Sequence, residues 1–132
     1  MRYMLLIYDN EKEWANMSEA ESGSLYAEYG TFTESIAASG NLVHGDPLEP
    51  TPTATTVRVR NGKTQTTDGP FAETREQLGG FYIVEAKDLD EAIAIAVRIP
   101  SARIGSIEIR PVMQLANMAP GGEQSSAQRT NM

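Results

Sequence analysis

From Tyr3 to Tyr8 every position is apolar, with Tyr3, Leu5 and Ile7 on one face of an extended segment and Met4, Leu6 and Tyr8 on the other. A strand greasy on both faces is a central strand covered on two sides. The next stretch, "DNEKEWANM", is polar apart from Trp14 and reads as a loop. "SEAE" at 18–21 then has the form of a capping box, in which a Ser hydroxyl and a Glu carboxylate each satisfy a free main-chain N–H. Leu25, Tyr29, Phe32 and Ile36 follow at steps of four, three and four, which is one face of a helix, and Gly40 ends it. "NLVHG" predicts a second strand, and Pro47 is expected to break it before "DPLEPTPTA".

Asn61-Gly62 is the favoured pair for a two-residue type I′ turn, so 55–68 predicts a hairpin. Its register sets Arg60 against Lys63, Val59 against Thr64, Arg58 against Gln65 and Val57 against Thr66. Val57 and Val59 share the face expected to be buried, and Arg58, Arg60 and Lys63 give the other a basic stripe. "GGFYIVEA" predicts another strand apolar on both faces. "DLDEAIAIAVRIP" predicts a helix that buries Leu89, Ala92, Ile93 and Ala96 and stops at Pro100. "IGSIEIRPVM" predicts the last strand, alternating Ile107 and Ile109 with Glu108 and Arg110.

Strand, helix, strand, inserted hairpin, strand, helix, strand is an α+β order: a ferredoxin-like split βαβ sandwich carrying one extra hairpin. Two helices cover one face of such a sheet, yet two strands are apolar on both. A second copy meeting the bare face is therefore expected, as an isologous homodimer. The domain is read as residues 1–115. Residues 116–132 lack periodicity and are expected to be a disordered C-terminal tail.

Composition narrows the chemistry. Eighteen acidic against eleven basic residues give a net charge of −7, which argues against nucleic acid and anionic membrane surfaces as partners. Without Cys there is no disulfide, thiolate metal site or cysteine nucleophile. No apolar run is long enough for a membrane span or a signal peptide, and a cytoplasmic location is expected. Nucleotide loops, nucleophile elbows and paired zinc spacings do not occur, so neither a cofactor nor a metal is expected.

The candidate chemistry gathers around "TDGPFAETREQLGGF" (67–81), read as the rim of a ligand pocket. Asp68 is either an Asx-type turn residue that shapes the Gly69-Pro70 bend or a general base. Phe71 packs into the core or a dimer seam, or stacks on a ligand. Glu73, Arg75 and Glu76 form a solvated helical turn, or Glu73 and Arg75 hold a polar ligand, with Arg75 as an anion clamp. His44 is a hydrogen-bonded strand residue or a proton donor and acceptor, with Asp46 two positions on. Tyr29 is a core aromatic or a phenol that donates to a bound oxygen. Arg110 is a cleft charge, or pairs with Glu73 or Glu85.

"MRYMLLIY", "TATTVRVRNGKTQTTDGPFAETREQLGGFYIVE" and "DLDEAIAIAVRIPSARIGSIEIRPVM" together resemble the YCII-related superfamily, and within it the DGPF-domain proteins. The resemblance implies a dimeric α/β barrel of ferredoxin-like subunits. It also implies small bacterial relatives, some encoded beside or fused to sigma factors, and activities largely unassigned. Wider relatives carry a His–Asp pair, with the His about eleven residues before the Gly that ends the first helix. Counting back from Gly40 reaches Tyr29 instead, while the DGPF Asp stands as Asp68. Two functions follow as expectations. One is a small-molecule acid/base enzyme in a cleft at the DGPF loop, using Asp68 with Tyr29 or His44. The other is a non-catalytic ligand-binding or regulatory dimer that docks a sigma factor.

Overall fold

The computed structural model describes residues 1–115; the segment expected to be a disordered tail lies outside the described residues. Four antiparallel strands form the main sheet in the order β2-β5-β1-β6, with β1 at Arg2–Asp9, β2 at Leu42–Pro47, β5 at Gln77–Glu85 and β6 at Ser106–Pro111. That is the ferredoxin-like order, with the first and third long strands in the middle. Strands β3 (Thr55–Arg60) and β4 (Lys63–Asp68) make a separate two-stranded ribbon.

Helix α2, Glu19–Ala38, starts as its capping box requires: Ser18 accepts from the Glu21 N–H at 3.1 Å, and the Glu21 side chain accepts from the Ser18 N–H at 2.9 Å. Such a cap stabilises a helix start by about 1 kcal/mol. Past the helix end Gly40 takes a φ of +81°, a conformation that costs glycine little. Along α2 the expected face holds, but unevenly: Phe32 and Ile36 are buried, while Leu25 and Tyr29 are half-buried. A helix of 20 residues is about 30 Å long, so its first half overhangs the packed part of the sheet.

The core lies between the sheet and the helices. Tyr3, Leu5 and Ile7 of β1 and Tyr82 and Val84 of β5 meet Phe32 and Ile36 of α2, and Ala92, Ile95 and Ala96 of α3 (Leu89–Ala96). Ile99 completes it, followed by a 3-10 turn at Pro100–Arg103.

Several expectations need correction. "DNEKEWANM" is not simply a loop: Asn10 caps a short helix, α1 (Glu11–Ala15), by accepting from the Lys12 N–H at 2.9 Å. Pro47 does not cut β2 short, because β2 is an edge strand and its last residue has no inward N–H to supply. In α3 Leu89 and Ile93 are exposed and Ile95 is buried in their place. The hairpin register is as expected, pair for pair, with positive φ at Asn61 and Gly62. Its valine face is not buried within the chain: Val57 and Val59 are each 59% exposed, because the ribbon forms a sheet of its own. Residues 69–76 are not helical.

On the helix-free face of the main sheet Met4, Leu6, Tyr8, Phe81 and Ile83 are half-exposed, beside exposed Glu108 and Arg110.

Candidate functional site

One end of the sheet is filled by large side chains and the other is not. At the Val84 end, Tyr3, Leu5, Ile36 and Ile99 close the space under the helices. At the opposite end the core face carries Gly45, Gly79 and Gly80, and the overhanging half of α2 stands above them. The result is a cleft of about 820 Å³, within the range of small-ligand sites. Ser22, Tyr26, Tyr29 and Thr33 line it from α2 at steps of four, three and four, a face next to the core face. Trp14 of α1 and the proline-rich segment after β2 form the remaining wall.

The glycines are required by contact as well as by space. A Cβ on Gly45 would stand 2.5 Å from the Tyr82 ring, and one on Gly80 3.0 Å from the Asp46 carbonyl oxygen. Gly79 is the extra residue of a bulge, since Ile7 pairs with Gly80 and Tyr8 with Leu78.

Asp9 sits at the base of this cleft. Continuing the alternation of Tyr3, Leu5 and Ile7, it points to the core face and is only 7% exposed. An unpartnered buried carboxylate costs several kcal/mol. Here Oδ2 accepts from the Trp14 indole Nε1–H at 2.9 Å and from the Ser101 hydroxyl at 2.8 Å. Ser101 is fully buried and has one hydrogen, which it gives to Asp9; it therefore accepts from Tyr29, whose hydroxyl lies 2.6 Å away. The direction of the chain is fixed: Tyr29 to Ser101 to Asp9. Burial, assisted by the negative charge of Asp9, pushes the Tyr29 phenol up to about 12. Among the described residues none donates to Asp9 Oδ1, and a Cβ on Gly79 would stand 3.5 Å from that oxygen.

Opposite, the Thr33 and Tyr82 hydroxyls are 2.7 Å apart. Two hydroxyls carry two hydrogens and the bond between them uses one, so the pair can offer the other to a ligand oxygen. Burial raises the Tyr82 phenol above its ordinary range. The rim is tied down by Glu11, whose carboxylate accepts from the Thr51 N–H and from the Thr51 hydroxyl, both at 2.7 Å.

The residues singled out in the sequence are dispersed. Tyr29 lines the cleft and is joined to Asp9, not to Asp68. Asp68 ends β4 opposite Thr55, exposed, and outside the cleft lining. No described residue donates to its carboxylate, so it forms no Asx-type turn; the bend is held by the Gly69 N–H on the Ala54 carbonyl at 2.7 Å, with Gly69 at φ +100°. Phe71 is 79% exposed and outside the core. Glu73 and Arg75 are exposed and form no ion pair among the described residues. His44 and Asp46 face the helix-free side, by their pairing with Ile83 and Phe81. They are in contact, Nε2 to Oδ2 at 2.8 Å, because β2 runs on through Asp46. Arg110 lies beside Met4 on the same side, and Glu85 pairs with Arg2 at 2.9 Å rather than with Arg110. Among the described residues no group of three His, Asp or Glu is placed to hold a metal, and no helix is long and apolar enough to cross a membrane.

A ferredoxin-like sheet with a ligand-sized cleft under the overhang of its first long helix defines a small α+β protein with one chemically furnished end. The chain belongs to the YCII-related domain family, whose model matches residues 1–116. It is 37% identical over 123 residues to an uncharacterized protein of Rhizobium meliloti (strain 1021), covering 92% of this chain and 97% of that one. Among solved structures it is similar to a 5-chloro-2-hydroxyhydroquinone dehydrochlorinase from Burkholderia phenoliruptrix AC1100, determined with 2,5-dihydroxybenzoquinone. The TM-score is 0.49 and the identity 16%, over 86% of this chain and 95% of that one. A likeness at that score carries no argument about chemistry.

Proposed function

We propose that this protein is a small-molecule enzyme that moves a proton, as in an isomerase or lyase, with Asp9 as the group that takes it up. The observation that carries the reading is the asymmetry of the Asp9 carboxylate: Oδ2 is held by two donors, and Oδ1 is left without one over the glycine floor of the cleft. A substrate would give an acidic hydrogen to Oδ1, and the bonding pair would remain on the substrate. Charge that develops on a substrate oxygen would be met by the spare hydrogen of the Thr33–Tyr82 pair. Tyr29 stays protonated at neutral pH and works through Ser101, fixing the orientation of Asp9 rather than exchanging a proton with the substrate.

The test is exchange of substrate hydrogen with solvent. In D2O the wild type should catalyse deuterium incorporation into members of a panel of small carbonyl and hydroxy compounds, followed by proton NMR. Asp9→Asn keeps an oxygen that can accept from Trp14 and Ser101, so the fold should survive, while exchange should fall by about 100-fold or more. Undiminished exchange in a folded Asp9→Asn protein would remove Asp9 from the chemistry. A non-catalytic ligand-binding or regulatory dimer would use the same cleft and give binding without exchange.

The second part of the proposal is the homodimer. The half-exposed apolar row Met4, Leu6, Tyr8, Phe81 and Ile83 on the helix-free face supports it, since a second copy would cover that row and build the dimeric barrel.

A further inference from the structure

The charged groups around the cleft can be sorted by what they already touch. The Glu11 carboxylate is taken up by Thr51. Asp46 meets the cleft by its main chain, and its carboxylate is paired with His44 on the other side of the sheet. Asp9 Oδ2 is held by Trp14 and Ser101. Two groups remain uncommitted: Asp9 Oδ1, and the ammonium of Lys12, which lines the cleft and has neither an ion pair nor a side-chain hydrogen bond among the described residues. An ammonium is a donor that cannot accept, so a ligand beside it must bring an acceptor, best an anion. Asp9 Oδ1 calls for the opposite, a hydrogen donated to it.

The space between them suits a flat body. Trp14 and Tyr26 stand with ring centroids 5.4 Å apart at 50°, and the indole is pinned in place by its bond to Asp9. The facing floor at Gly45, Gly79 and Gly80 has no side chains, so a ring or conjugated plane can lie against main chain there.

We propose that the cleft selects small planar organic anions, with the negative group held by Lys12, the planar body against the aromatic wall, and an acidic hydrogen turned toward Asp9. This rests on the reading of the cleft given above and adds the charge and shape of its ligand. The net charge of −7 makes long-range attraction of an anion unfavourable, so selection for anions has to come from a local contact, and Lys12 is placed to supply it.

Matched pairs test it: 4-hydroxybenzoate against 4-hydroxybenzamide, and further planar carboxylates against their amides, measured by calorimetry on the wild type, Lys12→Gln, Lys12→Arg and Asp9→Asn. Carboxylates should bind the wild type about 10-fold or more tightly than their amides. The preference should vanish in Lys12→Gln and return in Lys12→Arg, because an exposed cation can be replaced by another without disturbing the fold. Equal binding of both partners, weakened in Asp9→Asn, would overturn the role of Lys12 and leave the cleft reading standing. Failure of every planar carboxylate and amide to bind, or binding indifferent to Asp9→Asn, would remove both.

Discussion

Tyr29 reaches Asp9 through a single buried hydroxyl, and that joint gives the phenol a measurable signature. Its ordinary value is 10.0, and in the folded protein it is pushed up to about 12, first by burial and then by the charge of Asp9. Below pH 10 the phenol is protonated whether the chain is folded or not, and its contribution to stability is complete. Between pH 10 and about 12 the unfolded chain releases the proton and the folded chain does not, so stability falls as pH rises through that window. Tyr29→Phe should therefore cost stability near pH 8 and cost less of it near pH 12, as read from urea melts at the two ends; a difference that stays constant with pH would show that the phenol is not held as described. The register of Leu25, Tyr29, Phe32 and Ile36 made the placement of Tyr29 readable from sequence. Asp9 was missed because an Asp followed by Asn, Glu and Lys looks like the start of a loop. The signal was present: the alternation of Tyr3, Leu5 and Ile7 carries position 9 to the core face, where a carboxylate must have partners.

At the scale of elements, legibility follows how far each segment depends on its own neighbours. The hairpin register was set by Asn61-Gly62 alone and is found pair for pair, whereas the exposure of its valines depends on what packs over them, which local sequence does not state. The stretch from Ala92 to Val97 is apolar at every position, so periodicity could not choose its inner face, and Ile93 was read for Ile95. Helix α1 has five residues, too few for a periodic signal, although it brings Trp14 and Lys12 to the cleft. The half-exposed row on the main sheet makes a prediction at this scale. If a second copy covers it, light scattering should give twice the mass of one chain, and Leu6→Glu should give a folded monomer; a wild type that is monomeric at micromolar concentration would leave the row without a partner.

For the molecule as a whole, the sequence points to the stretch 67–81 as the rim of a pocket, because that stretch is rich in charge and carries a distinctive aromatic. The fold sets its charged part, residues 68–76, beyond the end of the hairpin, brings Gly79 and Gly80 of the same stretch to the cleft floor, and gathers the buried polar groups there, where glycines leave the sheet thin and α2 overhangs it. Charge density in a linear sequence marks solvent contact more often than a site. A cleft assembled from β1, β5, α1, α2 and the turn at Ser101 has no contiguous motif, so it could emerge only from the folded arrangement. The most direct measurement is a map of amide chemical-shift changes as the strongest-binding member of the carboxylate panel is added. Shifts should centre on Asp9, Trp14, Gly79, Gly80 and Ser101; shifts confined to residues 68–76, with those five unmoved, would contradict a site at Asp9.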